Sequence, residues 1–120
     1  KPEVKIDQQD MKDRLLFRPV IESLKCLETG VLRSVADGNI GSIMGIGAPV
    51  WTGGFIQFVN TYGPARFVAR CNELAEQCGE RFLPPQIAID KAAAGELGRR
   101  RWRAARGGAL GLRPGARAER

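Results

Sequence analysis

At 120 residues the chain can close one hydrophobic core, but it is too short for a nucleotide-binding domain plus a substrate domain. Hydrophobic residues make up 43% and charged residues 27%, which excludes wholesale disorder and fibrous classes, and no apolar run reaches the ~18 residues of a membrane span. The formal charge of +6 is unevenly placed: eight arginines and one acid, Glu119, lie from Arg99 onward, whereas residues 1–98 carry 11 basic and 12 acidic groups.

The opening KPEVKIDQQD is charged and polar, has no apolar stretch of the kind a secretory signal needs, and reads over residues 1–8 as a lead or linker. From about Gln9 to Glu28 the spacing of Leu16, Phe17, Val20, Leu24, Leu27 and Val31 predicts a long amphipathic helix. Pro19 lies inside it and predicts a kink, because it cannot bond to the carbonyl of Leu15. Thr29-Gly30 supplies the stop. On this reading Asp10, Asp13, Glu22 and Glu28 form the solvated side of the helix.

Ser34 is placed to cap a second helix running to about Gly45, with Asp37 near the positive end of its dipole. Gly38 and Gly41 weaken that helix by about 1 kcal/mol each relative to alanine, so the expectation is that another backbone comes close there. Gly47-Ala48-Pro49 ends it. Thr52 is the expected cap of a third helix over about Gly53 to Thr61, which buries Phe55, Phe58, Val59 and Tyr62.

Gly63-Pro64 opens a fourth helix to Cys78, ended by Gly79, with Phe67, Val68, Cys71, Leu74, Ala75 and Cys78 spaced for burial. Pro84-Pro85 leads into a short last helix, Gln86 to Ala94, stopped at Gly95. No stretch alternates apolar and polar over a strand length. The predicted class is all-α, four to five helices in a domain of residues 9–97, followed by an arginine-rich tail of residues 98–120 with too few periodic apolar residues to form a core.

The glycine-rich segment GSIMGIGAPVWTGG, residues 41–54, invites a phosphate-binding reading, and spacing removes it. Gly45 and Gly47 begin a dinucleotide fingerprint, but valine stands at position 50 and a helix precedes, where the fingerprint needs a glycine and a strand. No lysine follows for a P-loop. Gly45, Gly47, Pro49, Gly53 and Gly54 therefore read as turn and packing residues. The sequence has no histidine, which removes the commonest general base and most zinc sites. No catalytic, cofactor-binding or metal-ligating set stands out. Cys26, Cys71 and Cys78 are odd in number and lack a C-x-x-C pair, which fits reduced, mostly buried thiols in a cytoplasmic or matrix protein.

The segments D13-R-L-L-F, E22-S-L-K-C-L-E-T-G30, A36-D-G-N-I-G-S-I-M-G-I-G47, W51-T-G-G-F and N60-T-Y-G63, in this order and spacing, resemble the C-terminal helical domain of 3-hydroxyacyl-CoA dehydrogenases, a 6-phosphogluconate dehydrogenase-like fold. The match covers about residues 9–97 and is closest to the second copy, at the end of the multifunctional fatty-acid-oxidation α-subunit. The resemblance implies oxidation of 3-hydroxyacyl-CoA to 3-ketoacyl-CoA with NAD. In the family, the NAD site and the histidine base with its glutamate partner belong to a preceding Rossmann domain, so this chain alone is expected to bind no cofactor. Asp13 occupies the position of the first copy's catalytic asparagine, which makes this a packing copy rather than a catalytic one.

Implied partners are the Rossmann domain and first helical copy, with a homodimer and a thiolase subunit as further possibilities and no membrane. The implied place is the cytoplasm, or the mitochondrial matrix or peroxisome in a eukaryote. The turn Pro49-Val50-Trp51-Thr52 is two residues longer than in the first copy, which favours the second. The family usually has an aromatic where Ala48 stands and a proline where Val50 stands. Two further readings stand beside this one: a self-associating helical module, resting on the glycine-marked second helix, and nucleic-acid binding through Arg101-Trp102-Arg103. The alternative for that tail is an extension with no role in the fold.

Overall fold

The structure, a computed structural model, describes residues 5–94. Five α-helices and two short 3-10 turns make up the fold, with no strand among the described residues: α1 Gln8–Glu28, α2 Val35–Ile46, α3 Phe55–Tyr62, α4 Pro64–Cys78 and α5 Gln86–Ala93. The 3-10 turns, Val50–Thr52 and Glu80–Phe82, precede α3 and follow α4. The expected domain edge at Leu97, the stop at Gly95 and the arginine-rich tail lie outside the described residues.

The core is organised around Phe17 of α1. Its ring stacks on Phe67 of α4 at 4.9 Å and meets Phe58 and Tyr62 of α3 edge-on at 5.9 and 5.4 Å. Offset-stacked and edge-on pairs of this kind add about 0.5–1.5 kcal/mol each beyond the area they bury. Val20, Ile21, Leu24 and Leu27 continue the buried side of α1, with Ile56 and Val59 of α3, Cys71 and Leu74 of α4, Phe82 of the second 3-10 turn and Ala88 of α5. Helix α1 thus packs on α3 and α5, α4 covers α3 and α5, and α2 lies mainly on α3.

Local signals set most boundaries. Ser34 accepts a hydrogen bond from the Asp37 amide at 3.1 Å, as its capping position predicts. Gly30 and Gly47, with φ of +80° and +71°, take the left-handed conformation that closes α1 and α2. Helix α1 continues through Pro19, whose carbonyl accepts from the Ser23 hydroxyl at 2.9 Å. Val31, expected on the buried side of α1, lies beyond Gly30 and is exposed. Ile21, Ile56 and Phe82 join the core without having been assigned to it from spacing.

Candidate functional site

Two places concentrate polar groups between helices. The first is centred on Arg70 of α4, whose guanidinium meets three carboxylates. Nε donates to Asp13 at 2.8 Å, Nη1 to Glu73 at 2.9 Å, and Nη2 to Asp10. Gln9 also donates to Asp13 at 2.9 Å, so both carboxylate oxygens of Asp13 are engaged. Asp13 is only 6% exposed, and the arginine that neutralises it comes from 57 positions away in the chain. The hydrogen bond to Asp10, foremost, holds Arg70 more firmly protonated than usual.

The expectation that Asp10, Asp13, Glu22 and Glu28 form one solvated face is therefore corrected. Glu22 keeps that description: it is half exposed, and the hydrogen bond from Arg18, then Lys25, holds its carboxyl below the ordinary range against a small opposing effect of burial. Asp13 is buried and Asp10 shares its arginine. Glu28 accepts from the Ile87 amide at 2.9 Å and so satisfies one of the free N–H groups at the start of α5. The side chain at position 13 is thus occupied by an ion pair between α1 and α4, where it is closed to an incoming reactant.

The second place is the segment from α2 to α3. Residues Phe55, Ile56 and Gln57 open α3 with amides that have no partner inside the helix. Helix α2 supplies the acceptors: Ser42 Oγ takes the Phe55 amide at 3.1 Å, and Asn39 Oδ1 takes those of Ile56 and Gln57 at 3.0 and 2.9 Å. Thr52, the expected cap, instead accepts from the Gly54 amide at 3.1 Å and donates to the Pro49 carbonyl at 2.6 Å, which shapes the turn before the helix.

This arrangement explains some glycines and not others. A Cβ at Gly54, where φ is +107°, would collide with the backbone and side chain of Asn39, so glycine there is what lets α2 reach the start of α3. At Gly38 the close neighbour is the Ile56 side chain, 2.5 Å from where a Cβ would stand, rather than a backbone. Gly41 and Gly45, inside α2, have open space at the Cβ position, which corrects the expectation of a close backbone at Gly41 within this chain. Gly53 has φ of +73° and completes the turn behind Pro49.

Sequence reasoning missed Arg70, Asn39, Ser42 and Glu28 as organisers. The one signal for Asn39 and Ser42 was their position as polar residues three apart on the Gly38 side of a helix otherwise apolar after Asp37 in its first turn. Among the described residues no group of three or more His, Cys, Asp or Glu side chains is placed to hold a metal ion, and no helix is long and apolar enough to cross a membrane. The residues Arg101-Trp102-Arg103 lie outside the described part.

What faces outward is apolar. Ile40, Met44, Ile46, Val50 and Trp51, on α2 and the turn after it, are 63, 81, 71, 75 and 78% exposed. Scattered apolar residues are ordinary at a surface; of these five, Ile40 and Met44, four positions apart, share one face of α2, whereas Ile46 lies on another side of the helix.

An all-helical fold with these features has sequence relatives among proteins of fatty acid oxidation. The chain is 36% identical over 95 residues to the fatty acid oxidation complex subunit alpha of Vibrio cholerae, a match covering 79% of the chain and 13% of that relative. The subunits of the same name from Vibrio vulnificus and Vibrio parahaemolyticus are 35% and 34% identical over 94 residues, 78% of the chain and again 13% of each relative. No family model matches the chain. The resemblance to the fatty-acid-oxidation α-subunit thus holds over most of the chain, and the five-helix fold is consistent with a C-terminal domain of that protein.

Proposed function

We propose that this chain is the helical C-terminal part of a 3-hydroxyacyl-CoA dehydrogenase of fatty acid oxidation, serving as a packing copy that contributes no catalytic group. The relation to the α-subunit supports the pathway. The state of Asp13 carries the non-catalytic part: where the catalytic copy presents an amide to the reaction, this copy buries a carboxylate under Arg70. An anion held in this way offers neither a hydrogen-bond donor nor an available base.

On this reading NAD is bound, and the proton removed, by a Rossmann domain outside this chain, which the helical copy helps to hold in place. Three cysteines with no disulfide between them fit a reducing compartment, the cytoplasm or, in a eukaryote, the matrix or peroxisome. Incubation of the chain alone with NAD and 3-hydroxybutyryl-CoA, followed at the NADH absorbance, should give no product. Joined behind an NAD-binding domain and first helical copy that lack their own second copy, it should raise dehydrogenase activity or its thermal persistence. Turnover by the isolated chain, or a joined protein indifferent to its presence, would remove the reading.

A further inference from the structure

We propose that the first two turns of α1, residues Gln8 to Leu15, are an arm that stays wound against the body only while Arg70 of α4 holds it, with Pro19 marking where unwinding stops. The device belongs to the helical fold and does not depend on the dehydrogenase reaction.

The arm lacks the ordinary means of staying in place. Between Gln8 and Leu15 no apolar side chain enters the core: Met11 and Leu15 are 46 and 73% exposed, and the fully buried apolar side of α1 starts at Phe17. Asp13 is the one buried residue of the arm, and it is a carboxylate. The N-terminal end has no side-chain cap, since Asp7, at the capping position, accepts no amide. At the other end Pro19 has no N–H to offer the Leu15 carbonyl, so the helical ladder misses a rung where the arm joins the packed part of α1. Two turns without a cap, without a core residue and beside a missing rung are too short to persist by helix propensity alone.

What remains is the guanidinium of Arg70. Glu73, on α4 itself, takes Nη1 at 2.9 Å and steadies the fork, which leaves Nε for Asp13 at 2.8 Å and Nη2 for Asp10. Asp10 and Asp13 stand three positions apart, a spacing that shares a face in a helix and alternates sides in an extended chain. The planar fork therefore fits both carboxylates only when the turn between them is wound. Winding and docking become one event, and that event sets the direction in which the chain ahead of Gln8 leaves the helical body.

Residue-resolved hydrogen–deuterium exchange of the whole chain tests this. In Arg70→Gln the amides of Lys12 to Leu16 should exchange about tenfold faster or more, while those of Ile21 to Leu27 keep their rates. Arg70→Lys keeps the charge but loses the fork, and should speed the same amides by about threefold. If Arg70→Gln opens the whole fold, Arg70→Lys alone decides. Pro19→Ala restores the missing rung and should slow these amides severalfold, and Glu22→Gln, which breaks only exposed pairs with Arg18 and Lys25 on the same helix, should leave them unchanged. Rates at Lys12 to Leu16 that ignore both Arg70 variants, a rise spread evenly over α1 in Arg70→Lys, an equal rise in Glu22→Gln, or no slowing in Pro19→Ala would each overturn the proposal. The dehydrogenase reading is tested by turnover and is untouched by any of these rates.

Discussion

Arg70 serves three carboxylates from one guanidinium, so the residues around it are unequal. Asp10 and Glu73 are partly solvated, whereas Asp13 is buried. Asp13→Ala should cost about 2–3 kcal/mol in urea unfolding, because it removes the buried acceptor and leaves both Arg70 Nε and Gln9 short of a partner. Asp13→Asn preserves shape and one acceptor and should cost less, about 1 kcal/mol, without creating dehydrogenase activity, since Arg70 would still cover the site. The glycines separate just as clearly. Gly54→Ala forces a side chain onto Asn39 at a left-handed φ and should cost ~3 kcal/mol or more, while Gly41→Ala should stabilise the monomer by about 1 kcal/mol through helix propensity. Measuring both against one denaturant series checks the sign as well as the size.

Among the helices, α3 has eight residues and draws its N-terminal caps from another helix. Asn39→Ala leaves the Ile56 and Gln57 amides without their acceptor and should cost about 2 kcal/mol, with Ser42→Ala adding a smaller loss at Phe55. The same contrast decides what was legible in the sequence. Starts and stops governed by neighbours a few positions away, such as Ser34, Pro64 and Gly79, were visible, and so was most of the core by its helical spacing. The groups that join helices were not: Asn39 acts 17 and 18 positions away, Glu28 59 and Arg70 57 to 60, and a periodicity argument carries no information about such pairs. The burial of Asp13 was hidden for the same reason, because by local pattern an aspartate among charged neighbours belongs to the solvent.

The molecule as a whole has an alkaline limit. Burial pushes the Cys71 thiol from its ordinary 9.0 up to about 12, and burial, with Asp13 second, also raises the Tyr62 phenol. Both groups have folded-state pKa values above their unfolded ones, and both are neutral when protonated. Their contribution is therefore complete below pH 9 and declines as pH rises, because the unfolded chain then releases protons that the folded one retains. Cys71 alone should give a slope approaching about 1.4 kcal/mol per pH unit between 9 and 12, and Cys71→Ala should flatten it in unfolding curves taken across that range. In the native protein a maleimide at neutral pH should label the partly exposed Cys26 and Cys78 well before Cys71.

The capping of α3 from α2 also sets an order of events. A helix whose first amides are held by Asn39 and Ser42 has no independent start, and eight residues are too few to nucleate alone in water. The amides of Phe55, Ile56 and Gln57 should then exchange with deuterium only when α2 comes away from them, at a common rate despite lying in a different helix. Two segments separated by a proline turn would thus open and close as one unit, and any partner that clamps the outer face of α2 would slow exchange at the buried beginning of α3.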